Sequence, residues 1–383
     1  MVKWPVTTFE KLYEIPSRNG LSKPSRVRGS GYKMINMGEL FANDRIYDIN
    51  MELVPLTDIE KEKAKILPFD LLFARQSLVA AGAGKCSIVM ETSDLTVFES
   101  HLIRVRLNKL IADPFFYYYY FRSSCSPMQT IIQHCVQAGI KASDLSKLEV
   151  VVPPLCAQRK ISSVLMSIDK KIEENKKINK NLYKQMLFIF NNAKKTSSWK
   201  HHKLGDVLTF YDNLRKPLSS IQREKMAHIY PYYGATSIVD YVEDYLFDGT
   251  YILISEDGAN VVDALGHPLT QYTYGKFWVN NHAHVVRGSS SYSEALIYAM
   301  LGTLNMQSIV TGAAQPKINQ ANLRNFETVL PENEEAQVLS VILTPMLQQM
   351  LYYDQENERL STLRDTLLPQ LMSGELDISA IDL

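Results

Sequence analysis

The chain has 383 residues, with 41 Lys or Arg balanced by 41 Asp or Glu. That length exceeds one ordinary hydrophobic core, so at least two domains are expected. The charge balance excludes a uniformly basic nucleic-acid coat while leaving room for local basic patches. Cys86, Cys125, Cys135 and Cys156 show no paired spacing, which points to reduced thiols rather than a disulfide framework or a zinc site. The first fifteen residues contain no apolar signal core, and nowhere do eighteen apolar residues run together. A soluble, cytoplasmic chain with no membrane partner is expected.

Residues 1–152 read as a first globular domain. It opens on a basic, turn-rich stretch, 17–31, followed by strand-like runs at 32–37, 70–74, 87–90 and 101–107. Asp113-Pro114 begins a helical pattern, and the aromatic run 115–121 is expected to pack in a core, although a tyrosine run can also stack on bases. Residues 153–198 read as one long helix. Ile161, Leu165, Ile168, Ile172, Asn175, Asn179, Leu182, Met186 and Ile189 follow at steps of four and three, a heptad seam with two asparagines inside it. Such a helix is about 60 Å long.

Residues 199–330 repeat the landmarks of the first domain in the same order, and 331–383 repeat the helix. Leu339, Leu343, Met346, Met350, Tyr353, Asn357, Leu360, Arg364 and Leu367 stand 178 positions after their counterparts, and Asn357 repeats Asn179. The lead-ins match too, at 145–153 and 323–331. A fixed-period self-match identifies a tandem duplication. Residues 156–200 carry eleven Lys or Arg against three acids, and 331–383 carry ten acids against two Arg. Opposite charge beside two narrow apolar seams favours pairing of the two helices within one molecule over two separate amphipathic helices. Pro345 is expected to kink or interrupt the second helix, and Met372-Ser373-Gly374 supplies its C-terminal glycine signal. The expected fold is therefore α+β (mixed α/β). Two similar globular domains alternate with two long antiparallel coiled-coil helices in a pseudo-twofold repeat.

Catalytic patterns are scarce. Residues 81–87 approach a phosphate loop, but Val79 stands at the first glycine position and Cys86 follows Lys85, so a glycine turn between strands is the better reading. No dinucleotide-type glycine fingerprint is evident. His282 and His284 share a strand face without a convincing third ligand, so no metal is expected. Ser255-Glu256-Asp257-Gly258 reads as a polar loop. What remains are basic residues interleaved with aromatics and amides. In the first domain these are Arg18, Lys23, Arg26, Arg28, Lys33, Arg75, Arg104 and Arg106. In the second they are Arg215, Lys216, Lys276 and Lys317, near Tyr230, Tyr232, Tyr233, Asn280 and Asn281. Arg and Lys suit phosphates and guanine edges, and amides suit adenine. Charged loops of this kind also occur simply as solvated surface.

The whole pattern resembles the specificity subunit of type I restriction–modification systems. The residues carrying the resemblance are Val151-Val-Pro-Pro-Leu-Cys-Ala-Gln158 with the heptads after it, Tyr230-Pro-Tyr-Tyr-Gly-Ala235, Leu246-Phe-Asp-Gly249, Asn280-Asn-His-Ala-His284 and Thr311-Gly-Ala-Ala-Gln-Pro-Lys317. One departure is Glu332-Asn-Glu-Glu-Ala-Gln337, which has an extra residue and lacks the second proline of the first hinge. The resemblance implies two target recognition domains, each reading one half of a bipartite double-stranded DNA sequence. It also implies a helical ruler that docks two methyltransferase (M) subunits and restriction (R) subunits. No cofactor belongs to this chain on that reading; S-adenosylmethionine, ATP and Mg lie on the partner subunits, and the chain itself is not an enzyme. Arg18, Lys23, Arg26, Arg28, Lys33, Arg75, Arg104, Arg215, Lys216, Tyr232, Tyr233, Asn281 and Lys317 are the expected DNA-binding residues, with the loops near 18–28 and 230–237 foremost. Two other readings fit the residues. One is a helical assembly scaffold that binds no DNA. The other is the specificity chain of a fused methyltransferase–nuclease or other defence system.

Overall fold

The computed structural model describes residues 4–77, 82–92, 94–134, 138–289, 291–312 and 314–376. Cys135, Val79, Ala81 and Ala313 lie outside the described residues. The chain divides into two compact units, Met1–Lys171 with Arg359–Leu383, and Ile172–Glu358. Each unit therefore holds a globular portion and a share of both long helices.

In the first unit a five-stranded sheet runs in the order Tyr13–Asn19, Leu102–Leu107, Leu71–Ala74, Cys86–Val89, Arg45–Ile46. A three-stranded sheet pairs Tyr32–Ile35 antiparallel to Glu52–Val54 and parallel to Thr96–Phe98. The aromatic run forms the helix Pro114–Arg122, with Asp113 as its N-cap. Tyr117, Tyr118, Tyr119 and Tyr120 are all buried in the core of this unit. The run is core, because Leu71, Phe73, Ile88 and Ile103 of the sheet need an apolar cover. Glycine also behaves as expected: Gly84, at φ +74°, turns the chain into Cys86–Val89, and Lys85 bonds Phe41 O at 2.8 Å.

The second unit repeats this plan. Ala283–Gly288 pairs antiparallel with Tyr251–Ser255 as Leu102–Leu107 pairs with Leu71–Ala74. Tyr230–Tyr233 pairs parallel with Lys276–Val279 as Tyr32–Ile35 pairs with Thr96–Phe98. Lys200–Lys203 pairs with Glu327–Leu330 as Val6–Thr8 pairs with Glu149–Val151. The duplication and the mixed α/β composition expected from the sequence both hold.

The long helices span Leu155–Thr196 and Asn333–Ser373, and they begin 178 positions apart, the period of the repeat. The second helix runs unbroken through Pro345 and Pro369, so the expected interruption does not occur. Its start is also not displaced by the altered hinge. Gln158 is fully buried and bonds Asp113 N, Ile111 O and Pro153 O. Its structural counterpart is the buried Ala336, not the exposed Gln337.

Within each unit the helix segments run antiparallel. In the second unit Asn175 Nδ2 donates to Asn357 Oδ1 at 3.0 Å and to Glu356 Oε2 at 2.7 Å. Asn179 Nδ2 donates to Asp354 Oδ1 at 2.8 Å and Met350 O at 3.1 Å. Buried amides whose Nδ2 groups find acceptors on the facing helix fix register where leucines would slide. The apolar seam is buried at Ile161, Leu165, Ile168 and Ile172, and at Leu339, Leu343 and Met350. Leu182, Met346 and Leu360 are only half-buried, while Leu347, Leu368 and Phe190 are fully packed. A straight helix drifts about 20° per heptad from a 3.5-residue repeat, which moves the contact stripe by one position. One ion pair between the helices runs against the charge imbalance: Arg364 of the acidic helix donates to Asp169 of the basic one.

Candidate nucleic-acid interface

In the second unit, three of the segments singled out in the sequence converge where strands Tyr251–Ser255 and Ala283–Gly288 meet at one end. The Glu256 N–H donates to His282 O at 2.9 Å, and the Ile318 N–H donates to Glu256 O at 2.8 Å. This joins 255–258, 280–284 and 311–318. At the centre Arg215 Nη1 lies 2.6 Å from Glu256 Oε2, and its Nη2 lies 3.6 Å from Asp212 Oδ2. Lys317 Nζ approaches Glu256 Oε1 at 3.0 Å. His284, 1% exposed, has Nδ1 at 2.7 Å from Asp212 Oδ2 and Nε2 at 2.8 Å from Ile318 O. Both ring nitrogens thus face oxygen atoms, Asp212 Oδ2 and Ile318 O. Burial pushes the Asp212 carboxyl up, but His284, the Val285 N–H and Arg215 together hold it below the usual range. Burial likewise opposes, and Arg215, His284 and Lys317 outweigh it, to keep Glu256 low.

Ligand atoms of Asp212, Glu256 and His284 lie within 4.8 Å of one another, which would suit a metal ion. The guanidinium of Arg215 and the ammonium of Lys317 already supply the compensating charge there, so the donor set calls for no further cation. Asp212, Glu256 and Gln320 are the members that sequence reasoning missed; Gln320 donates to Asp212 at 2.7 Å. The sequence signal was the acid pair at 256–257, which reads equally well as a polar loop.

The remaining expected residues separate by what holds them. Lys23 pairs with Glu60 at 2.8 Å, Arg28 with Glu52 at 2.6 Å and Lys33 with Asp48 at 2.6 Å. Arg104 is 3% exposed, donates to Lys65 O at 3.0 Å, and burial pushes its guanidinium down to about 10. Arg106 makes a two-pronged bond to Asp70, 2.7 Å on each side. Tyr232 and Tyr233 are buried, and the Tyr232 hydroxyl accepts from the Leu218 N–H at 2.9 Å. They pack into the sheet because Tyr230–Tyr233 lies between Ile238–Val242 and Lys276–Val279. Lys276 lies over the Tyr245 ring at 4.5 Å. Among the described residues, Arg18 bonds its neighbour's carbonyl, Asn19 O at 3.4 Å. Among the described residues, Arg26, Arg75 and Lys216 make no side-chain ion pair, and Arg26, Lys216 and Asn281 are exposed. The structure therefore gathers Arg215, Asn281 and Lys317 in one place and leaves a sparser basic surface in the first unit.

Two α+β units with matching strand registers, each drawing on the same pair of long helices, define a duplicated specificity-type scaffold. The sequence pattern of the type I restriction modification DNA specificity domain matches residues 1–184 and 196–361, and the chain belongs to that family. A putative type I restriction enzyme specificity subunit of Haemophilus influenzae is 36% identical over 133 residues, 35% of this chain and 33% of that protein. The MjaIX specificity subunit of Methanocaldococcus jannaschii is 23% identical over 277 residues, 63% of this chain and 64% of that protein. The chain thus aligns with less than two thirds of either relative. The type I restriction-modification S subunit from M. genitalium shares the fold, with a TM-score of 0.55 at 17% identity over 99% of this chain and 97% of that one. Among the described residues no helix is long and apolar enough to cross a membrane.

Proposed function

We propose that the chain is the DNA-specificity subunit of a type I restriction–modification complex. It reads a bipartite double-stranded target with one globular unit per half-site and docks M and R subunits, which carry the chemistry and its cofactors. The observation that carries this reading is the duplication itself, with one strand scaffold built twice in register and given different polar side chains. Two copies of one scaffold with unlike surfaces suit two unlike half-sites, and a helical spacer suits a fixed gap between them. Arg18, Arg26, Arg75, Lys216 and Asn281 are the residues best placed to meet DNA, because among the described residues no side-chain ion pair holds them. Methylation mapping after co-expression with the adjacent methyltransferase subunit tests the proposal. A split motif of two short, unequal half-sites with a constant gap is expected, and insertion of one heptad within 161–189 should change that gap or abolish assembly. A soluble complex with neither methylation nor DNA affinity would overturn it.

A further inference from the structure

In each unit one carboxylate ties the globular portion to both long helices. In the first, Asp169 of the first helix accepts from Arg45 Nη2 and from the Tyr119 hydroxyl, both at 2.6 Å, and from Arg364 Nη1 of the second helix at 2.9 Å. Arg45 lies on a sheet strand and Tyr119 on the aromatic helix. The node is enclosed, with the Asp169 and Arg45 side chains 12% and 9% exposed. In the second unit Asp354 of the second helix accepts from the Tyr272 hydroxyl of strand Thr270–Thr273 at 2.5 Å and from Asn179 of the first helix at 2.8 Å. Tyr274 repeats the contact beside it, donating to Glu358 at 2.8 Å.

The nodes are not copies of one ancestral contact. Shifted by the 178-residue period, Asp169 falls on Leu347, one heptad before Asp354. Both acids follow a seam residue, Ile168 and Tyr353, so each unit meets the same requirement with its own residues. Apolar packing between a sheet and a helix pair is non-directional and tolerates sliding. A carboxylate holding charged and hydroxyl donors from separate elements does not, because such bonds are short, strong and directional. Resting on the bipartite reading above, we propose that Asp169 and Asp354 are positioning residues. Each sets the angle of its globular unit on the helix pair and thereby restricts the protein to one gap length between half-sites. One added base pair moves a half-site by about 3.4 Å and turns it by about 35°, so a unit free to rock accepts neighbouring gaps that a clamped one refuses.

The test uses the complex with its methyltransferase partner on duplexes whose gap differs from the preferred one by a single base pair. Asp169→Asn, Tyr119→Phe and Tyr272→Phe are each expected to reduce discrimination between correct and off-by-one gaps by about tenfold, the effect of one lost charge-assisted hydrogen bond. The rate on the correct gap and the preference for each half-site should stay near wild type. Leu145→Ala, a core change in the first unit at a residue that makes none of the node's hydrogen bonds, serves as a control for lost stability. Unchanged gap discrimination in folded node variants would overturn the proposal, as would equal relaxation in the Leu145 control. A wild-type complex that methylates no split target would overturn the bipartite reading instead.

Discussion

The two units differ most sharply at one structurally equivalent position, occupied by Arg75 in the first and Glu256 in the second. Three relations establish the equivalence. Arg75 N donates to His101 O as Glu256 N donates to His282 O, and Ile140 N donates to Arg75 O as Ile318 N donates to Glu256 O. The preceding residues also pair alike, Leu102 with Ala74 and Ala283 with Ser255. Around this point the first unit has Ile103 and Gly139 where the second has His284 and Lys317. Among the described residues the first unit thus leaves the Arg75 cation without an ion pair. The second encloses an acid between the cations Arg215 and Lys317, with the His284 ring beside it. A shared backbone does not force a shared polarity, and the same strand end can present charge outward or consume it internally.

The largest effect that separates the two comes from truncation. Glu256→Ala would leave Arg215, 13% exposed along its side chain, with the Asp212 carboxylate and backbone carbonyls such as Ala283 O at 2.7 Å but without its closest carboxylate partner. Removing one partner of a buried pair costs about 3–5 kcal/mol, and the loss should fall on the second unit. Arg75→Ala should change stability by no more than about 0.5 kcal/mol. Tryptophan emission during denaturation can read this, since Trp199 and Trp278 lie in the second unit and Trp4 in the first. Equal midpoints for the two variants would break the comparison.

The order should invert for DNA. Arg75→Ala is expected to lower target affinity by about fivefold and to reduce the slope of log affinity against log salt by about 1, the signature of one lost phosphate contact. Arg26→Ala and Lys216→Ala should behave alike. Lys23→Ala should change the slope less, because Glu60 already holds that ammonium. Binding isotherms at several salt concentrations decide the point, and a Lys23 effect as large as that of Arg75 would show that ion pairing within the unit does not predict availability to DNA.

The skeleton was far more legible than the interface. The 178-residue period, the asparagines of the seam and the burial of the tyrosine run all follow from local pattern, because heptads, caps and apolar runs act over a few residues. The partner of a cation does not. Lys23 meets Glu60, Arg28 meets Glu52 and Arg215 meets Glu256 across folds of the chain that no local spacing encodes. Tyr232 and Tyr233 resemble an exposed aromatic pair until their strand is seen to be an inner one. Arg364 did carry a signal, since an arginine inside an apolar seam requires a carboxylate; nothing nearby in sequence identified it as Asp169. The helix is not interrupted at Pro345, because packing of Leu343, Leu347 and Met350 against the second unit's core sustains a helix that the backbone alone would not favour.

The smallest predicted effect concerns acid. Asp212 and Glu256 have folded-state affinities for protons below those of the unfolded chain. Their contribution to stability is therefore present above the unfolded value, about pH 4, and is lost as pH falls toward the folded values. Asp354 runs the other way: burial raises its carboxyl against the pull of Tyr272, Asn179 and Lys176. Its ionisation is a cost, so it favours folding below about pH 4 and loses that contribution as pH rises through its folded value. The two groups partly cancel within one unit, which is why wild-type stability of the second unit should vary only gently between about pH 3 and pH 6. Glu256→Gln should flatten the acid-side loss, and Asp354→Asn should remove the decline toward neutral pH. Denaturant midpoints followed by tryptophan emission across that range test both signs. A Glu256→Gln variant that loses stability more steeply in acid than wild type would mean that Arg215 and Lys317 do not hold this carboxylate in solution.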